Sequence, residues 1–464
     1  MLKKVLLSVA VAAAFTACSK NETISTNSNP EGLSHISFSP SVPKATRGTI
    51  TNKETMEKDA NGFYVVAYGD GAFYFNRQLA KYAEKQIGDN ETRKGFFLDK
   101  NYSWPSYELT FAAWYPAKLA PGHGSAEAYK SDGVTKFETG EYVSQPKWHN
   151  NGVEAPHMIN KYVPAKEIAN QTDIIIARTI KDPKDAGVKE SAVALNFRHI
   201  LSQISLKAKK SGEDLKVEIR SVALRNIPST GTFKFRADDN ADYTTDENIT
   251  GSTSNPEQNL IPLENWTINA PNPAGSLTYG DGAAHNVNLQ RYDYTLGEIV
   301  ELDGTTAEAK DLLEGDQWLL IPQDFVKNNY YYENVNYVWP ETTSTQGAYL
   351  AFEMRVLRKK LNADNEFEGW TQIFPEPGAT KKDNSTVTDG DFGWGAIGLF
   401  SNAVWKPGIH YTYYTLHFTD NGVGKYDPEE WKEGGDDILG NYIWFTVTVD
   451  DWIPTDPADK DIQL

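Results

Sequence analysis

The sequence predicts an all-β protein built as two β-sandwich domains in series. Three observations carry this. Aromatic residues are abundant, with 12 Trp and 24 Tyr, and such side chains favour pleated, half-buried surfaces. Glycine and proline recur along the whole chain and divide it into short segments. Many of those segments alternate apolar and polar residues with period two, and few show a helical period. The length allows two or three domains at roughly 150 residues each. No short repeat of the solenoid or propeller kind is present.

The chain opens on a processing signal. Lys3 and Lys4 form a positive start, and residues 5–14 are apolar apart from Ser8. That run is far shorter than the roughly 20 residues of a membrane-spanning helix. Phe15-Thr16-Ala17 then precede Cys18, the only cysteine. This is the layout of a lipoprotein signal peptide over residues 1–17, although Phe15 stands where an aliphatic residue is usual. Cys18 is then the mature N-terminus and carries acyl chains on its thiol and amine. Two or more chains anchor stably, since each buried methylene contributes about 0.8 kcal/mol. The alternative is an ordinary secretion signal with a stray cysteine. Residues 18–32 are rich in Ser, Thr and Asn and read as a flexible tether.

Folded structure begins near His35-Ile36-Ser37-Phe38, which alternates as a first strand. A loop follows, Pro43-Lys44-Ala45-Thr46-Arg47-Gly48. Residues 62–68 are a strong strand, Gly69-Asp70-Gly71 is a turn, and a partner strand starts at Ala72. Residues 78–85 have helical character. Residues 109–116 form an aromatic strand ended by Pro116. Residues 122–163 are loop-rich, and 173–177 are a buried strand. The charged segment 181–189 contains Pro183 and reads as the connection between domains, placing them at 33–185 and 190–464. Further strands are expected at 193–199, 204–208, 217–224, 231–235, 317–321, 348–357 and 411–418. A last strand is expected at 443–449, along which Ile443, Phe445, Val447 and Val449 share one face.

Composition limits the function. The formal charge is −18, and loss of two lysines with the signal takes it to −20. Such acidity argues against nucleic acid as a partner, which requires Lys and Arg. It suits a surface protein that must stay soluble. With Cys18 acylated, no disulfide and no thiol nucleophile remain. No G-x-S-x-G, P-loop, dinucleotide fingerprint or H-E-x-x-H occurs. His199 lies beside Arg198 with no ligand at metal spacing and reads as structural. His149 and His157 flank a loop without a third ligand. The run Asp238-Asp239-Asn240-Ala241-Asp242 fails as a calcium loop, with Tyr243 and Ile249 where Gly and Glu are needed. The acidic run 427–437 reads as an exposed hairpin or loop. No cofactor or metal is expected, and no enzyme activity.

Several phrases, in this order, resemble the fimbrillins, the Mfa-like and FimA-like lipoprotein subunits of type V pili. Ile36-Ser37-Phe38 followed by Thr46-Arg47-Gly48 resembles the family's first strand and cleavage loop. Residues 63–68 and 109–116 resemble framework strands. Leu195-Asn196-Phe197-Arg198-His199-Ile200-Leu201-Ser202 resembles its most distinctive phrase. Trp318-Leu319-Leu320-Ile321-Pro322-Gln323, Trp405-Lys406-Pro407-Gly408 and Val447-Thr448-Val449-Asp450-Asp451-Trp452 resemble three more. The resemblance implies two transthyretin-like β-sandwich domains and a surface-exposed outer-membrane lipoprotein of the fimbrium. It also implies donor-strand exchange. An arginine- or lysine-directed surface protease cuts at Arg47-Gly48, with Lys44 the weaker alternative. The first strand, with Ile36 and Phe38, leaves, and a strand of another pilus subunit fills its place. The chain's own donor candidates are Ile462 and Leu464 in its polar tail. The stalk, anchor and tip roles all stay open. The alternative reading is a surface glycan-binding lipoprotein, supported by the tryptophan count. A glycosidase is a third.

Overall fold

A computed structural model describes residues 35–42, 51–86, 92–120, 122–149, 152–155, 157–185, 187–188, 191–235, 261, 263–268, 289–305, 308–324, 348–399, 404–440, 443–447 and 450–451. The regular structure of the described chain is almost all strand, with one α-helix of six residues, α1 (Lys53–Lys58). Cys18, Arg47, Gly48, the run 238–242, Ile462 and Leu464 lie outside the described residues.

Five strands begin the first sheet: β1 (Ser37–Ser41), β2 (Phe63–Gly69), β3 (Ala72–Gln86), β4 (Thr92–Leu98) and β5 (Leu109–Tyr115). The β2–β3 turn forms at Asp70-Gly71, with φ of 49° and 73°. Two successive positive φ angles match the twist of a hairpin. Gly62, at φ +64°, packs so closely that a Cβ there would lie 2.1 Å from the Ala80 carbonyl oxygen. Only glycine fits this position.

The helical reading of residues 78–85 is wrong. They continue β3, which pairs with β2 from Phe63 onward and with β4 from Leu98 back to Thr92. Leu79, Ala80, Lys81, Glu84 and Lys85 favour helix locally, but two flanking ladders outweigh that preference.

Four short strands occupy the loop-rich stretch: β6 (Ser125–Glu127), β7 (Lys147–His149), β8 (Gly152–Ala155) and β9 (Met158–Val163). Then β10 (Ile175–Lys181), β11 (Val193–Asn196) and β12 (Arg198–His199) complete the first sheet, in the order β11-β1-β4-β3-β2-β5-β10-β12. The expected boundary at 185–190 therefore falls before the sheet is finished. Its two outermost strands, β11 and β12, are separated in the chain only by Phe197, so the sheet must curl until its edges meet. The enclosed core contains Phe38, Phe63, Phe96, Phe111, Leu195 and Phe197.

The central strands are buried on both faces. Phe63, Val65 and Ala67 of β2 face that core, while Val66 packs outward with Trp114, Ile174 and Ile176. A four-stranded sheet contributes to the outer layer. It joins β6 and β9 to Gly231–Lys234 and Trp266–Ile268. Segments far apart in the chain thus pair in one small sheet.

Beyond Ile200, two six-stranded sheets face each other across a large common core. In one, Ser202–Ser211 runs parallel to Ile409–Thr419. In the other, Leu215–Pro228 lies between Leu289–Asp303 and Tyr349–Leu361. The acidic run 427–437 is not simply exposed. Asp427 is 0% and Trp431 1% exposed, and both are tied to Trp394. Of the face expected along 443–449, Ile443 is the described side chain, and it is buried.

His157 is buried between Trp114 and Phe235, with ring centroids 5.8 and 5.7 Å away. Its Nδ1 lies 3.1 Å from the Ser144 carbonyl oxygen. Burial pushes its pKa down to about 3, so the folded chain holds it neutral. The unfolded chain takes up a proton below about pH 6.5. Stability is complete above that value and falls between pH 6.5 and 3, by about 1.4 kcal/mol per unit from this group. His417, lowered to about 4 by burial and then by Lys209, adds the same sign. His157→Phe is expected to flatten the dependence of urea unfolding on pH. An unchanged slope would show that His157 is not held neutral.

Candidate functional site: the first strand and its groove

The first strand is short and lightly held. Its Cα partners are Val193, Ala194, Leu195 and Asn196 on β11, running parallel, and Phe97 and Phe96 on β4, running antiparallel. The β4 ladder stops at Phe38, two residues before Pro40, which has no N–H to donate. Two bonds fasten the ends. The Ile36 N–H donates to the Tyr102 carbonyl at 2.9 Å, and the Phe197 N–H donates to the Ser41 carbonyl at 2.8 Å. The Ser41 hydroxyl also donates to Asn196 Oδ1.

Alternation sorts its side chains. Ile36 and Phe38 are 3% and 1% exposed and belong to the core inside the sheet. Pro40 is buried with them, whereas Ser39 and Ser41 are exposed. The Phe38 ring meets Phe63 and Phe111 edge-on, at centroid distances of 6.1 and 5.8 Å. Burying Ile36 and Phe38 contributes roughly 3–6 kcal/mol before ordering costs. Without β1, the sheet would have a slot between β4 and β11. Phe96 and Leu195 would face open space, and both edges would carry unpaired backbone groups.

The chain beyond the slot is fixed more firmly. Thr51 is buried, and its N–H donates to Asp173 Oδ2 at 3.0 Å. Asn52 caps α1 reciprocally with Thr55, at 2.9 and 2.8 Å. Met56 is 0% exposed in the same core as Phe38. Burial, then Asp59 and Asp173 nearby, hold the Tyr115 hydroxyl far above the usual phenol range. His199 Nδ1 lies 3.0 and 2.9 Å from the two Asp173 carboxylate oxygens. His199 is therefore structural, and its partner Asp173 is 26 residues away, too far for any motif to reveal. Among the described residues no cluster of three or more His, Cys, Asp or Glu could hold a metal. Nor is any described helix long and apolar enough to cross a membrane.

A model of the fimbrillin-like family matches residues 46–368. The chain belongs to the fimbrillin-like family. No curated protein matches it. Among solved structures, a candidate cell adhesion protein from Bacteroides eggerthii is 13% identical. That match covers 92% of this chain and 98% of the other, at a TM-score of 0.35. Another from Bacteroides ovatus is 13% identical, covers 92% and 100%, and has a TM-score of 0.33. A third, from Parabacteroides distasonis, is 12% identical, covers 87% and 97%, and has a TM-score of 0.34. Similarity this low assigns neither detail nor function.

For this fimbrillin-like chain, Ile36 and Phe38 sit together in the slot. Arg47 and Gly48 fall between two described anchor points, Val42 and Thr51. The tethering roles of Thr51, Asp173 and Phe197 were not read from the sequence. The one signal available was the phrase around Leu195–His199, which supplies β11, Phe197 and His199 together.

Proposed function

We propose that this chain is a subunit of a cell-surface pilus, exported as a lipoprotein through Cys18 and assembled by strand exchange in support of adhesion. A cut at Arg47-Gly48 frees β1, and an extended strand of a neighbouring subunit takes its place. The observation that carries this reading is the seating of β1. It lies between two strands over a few paired residues, with two apolar anchors, and leads straight into the segment that holds Arg47. An incoming strand satisfies the exposed backbone by β-augmentation. Head-to-tail donation is heterologous and builds an open fibre. The chain's own donor would be the tail ending in Ile462 and Leu464. Attachment to the outer membrane would come from the lipid on Cys18.

The glycan-binding alternative rested on tryptophan. Among the eight Trp side chains described, Trp104, Trp114, Trp266, Trp318, Trp405 and Trp431 are buried, and Trp370 and Trp394 are half-buried.

The test is Arg47→Ala. Treated with an arginine-directed protease, the native chain is expected to lose its first strand and form fibres visible by electron microscopy. The variant is expected to stay monomeric with an unchanged thermal midpoint. Fibres of the variant with an unshortened N-terminus would refute cleavage at this bond as the trigger.

A further inference from the structure

We propose that Asp173 and His199, together with the buried amide of Thr51, form a clasp that keeps the chain beyond residue 50 on the fold once the segment 43–50 is cut. The proposal rests on the strand-release reading above and adds what holds the remaining end.

Both flanks of the segment rest on one stretch, residues 193–199. On the near side, Ser41 is bound by Asn196 and by the Phe197 N–H. On the far side, Thr51 is bound by Asp173, which His199 holds in turn. Asp173 lies two residues before Ile175, whose Cα partners are Tyr115 on β5 and His199 on β12. The carboxylate therefore sits where β5, β10 and β12 meet, and it accepts donors from two separate parts of the chain. Its side chain and that of His199 are each 1% exposed, so water does not compete for these bonds.

The two sides differ in what else holds them. Before the segment, β1 has a short ladder and two apolar anchors. After it come the Thr51 amide, the capped helix, buried Met56, the Gly62 N–H donating to the Asp59 carbonyl, and then β2 in the middle of the sheet. A cut in 43–50 is thus one-sided. The N-terminal piece is free to leave, and the new end stays held beside the emptied slot. An incoming strand would then meet a groove whose walls do not have to refold.

The test uses the full chain, cut once between residues 43 and 50 by limited arginine- and lysine-directed proteolysis. Mass spectrometry and gel filtration report whether the N-terminal fragment leaves. Amide hydrogen exchange reports the walls (residues 96–97 and 193–196) and the clasp (51–58) separately. In the cut native chain, exchange is expected to quicken at the walls and stay unchanged at 51–58. Asp173→Asn keeps the shape but accepts at one atom instead of two. In that cut variant, exchange at 51–58 is expected to rise about ten- to a hundredfold, the range for one lost bond to a charged group. Exchange at 51–58 as fast as at the walls in the cut native chain would overturn the clasp, whether or not the variant folds. If the fragment stays bound, strand release itself fails. The clasp then stands or falls on Asp173→Asn, and unchanged exchange at 51–58 overturns it.

Discussion

Phe38→Ala is expected to lower the unfolding free energy by about 3–5 kcal/mol, the range for removing a fully buried aromatic side chain. The ring is 1% exposed and lies edge-on to Phe63 and Phe111. Phe63 in turn touches Phe96 and Phe197, at 5.1 and 5.3 Å between centroids. Losing the ring opens a cavity bounded by both walls of the slot, and those walls belong to strands that cannot collapse toward each other. Each aromatic edge contact adds about 0.5–1.5 kcal/mol beyond area burial. Ser39→Ala, one residue along on the exposed side, is expected to change stability by less than about 0.5 kcal/mol. Urea unfolding followed by tryptophan fluorescence measures both. A loss below about 1 kcal/mol for Phe38→Ala would mean that β1 is not seated as a core strand, and the slot would lose its meaning as a strand-binding site.

Asp427→Ala at pH 8 is expected to cost a similar amount, about 3–5 kcal/mol, for a different reason. Asp427 is 0% exposed, and its Oδ2 lies 2.5 Å from Arg225 Nη1. Its Oδ1 accepts the Glu429 N–H at 2.7 Å. Burial pushes this carboxyl up to about 7 and Arg225 opposes the rise, so the experiment is set above that value. Arg225 is itself 1% exposed and stacks on Trp394, with its guanidinium carbon 4.4 Å from the ring centroid. Alanine leaves that guanidinium buried, with Glu429 its remaining carboxylate partner at 3.0 Å. The double variant Asp427→Leu with Arg225→Met removes both charges and is expected to be more stable than Asp427→Ala alone. Equal loss in the two would show that packing around residue 427, and not the orphaned charge, sets the cost.

The acidic run shows why local reading fails there. Asp, Glu, Lys and Gly predominate between 427 and 437 and suggest solvent. One arginine 202 residues earlier and the indole of Trp394 make the interior hospitable to Asp427. Residues 78–85 fail for a related reason. Their composition favours helix, and only the neighbours β2 and β4 show that the chain must stay extended. The strand Gly231–Lys234 was legible as a strand, but its partner β9 was not, because pairing as distant as Gly231 with Tyr162 or Lys234 with Met158 leaves no trace in either segment.

Some features needed nothing beyond the sequence. The alternation of Ile36, Ser37, Phe38 and Ser39 determined which side chains of β1 turn inward, because a strand alternates faces whatever lies beside it. Asp70-Gly71 determined the β2–β3 turn, since few residue pairs tolerate two positive φ angles. The ordered phrases determined membership of the fimbrillin-like family. Tertiary structure alone decided that β1 lies between β4 and β11, that Phe197 draws the two edges of the first sheet together, and that Asp173 joins Thr51 to His199. Backbone conformation and face alternation arise among neighbours in the chain. Pairing order, and the burial of a charge beside its partner, depend on which distant segments arrive at the same place.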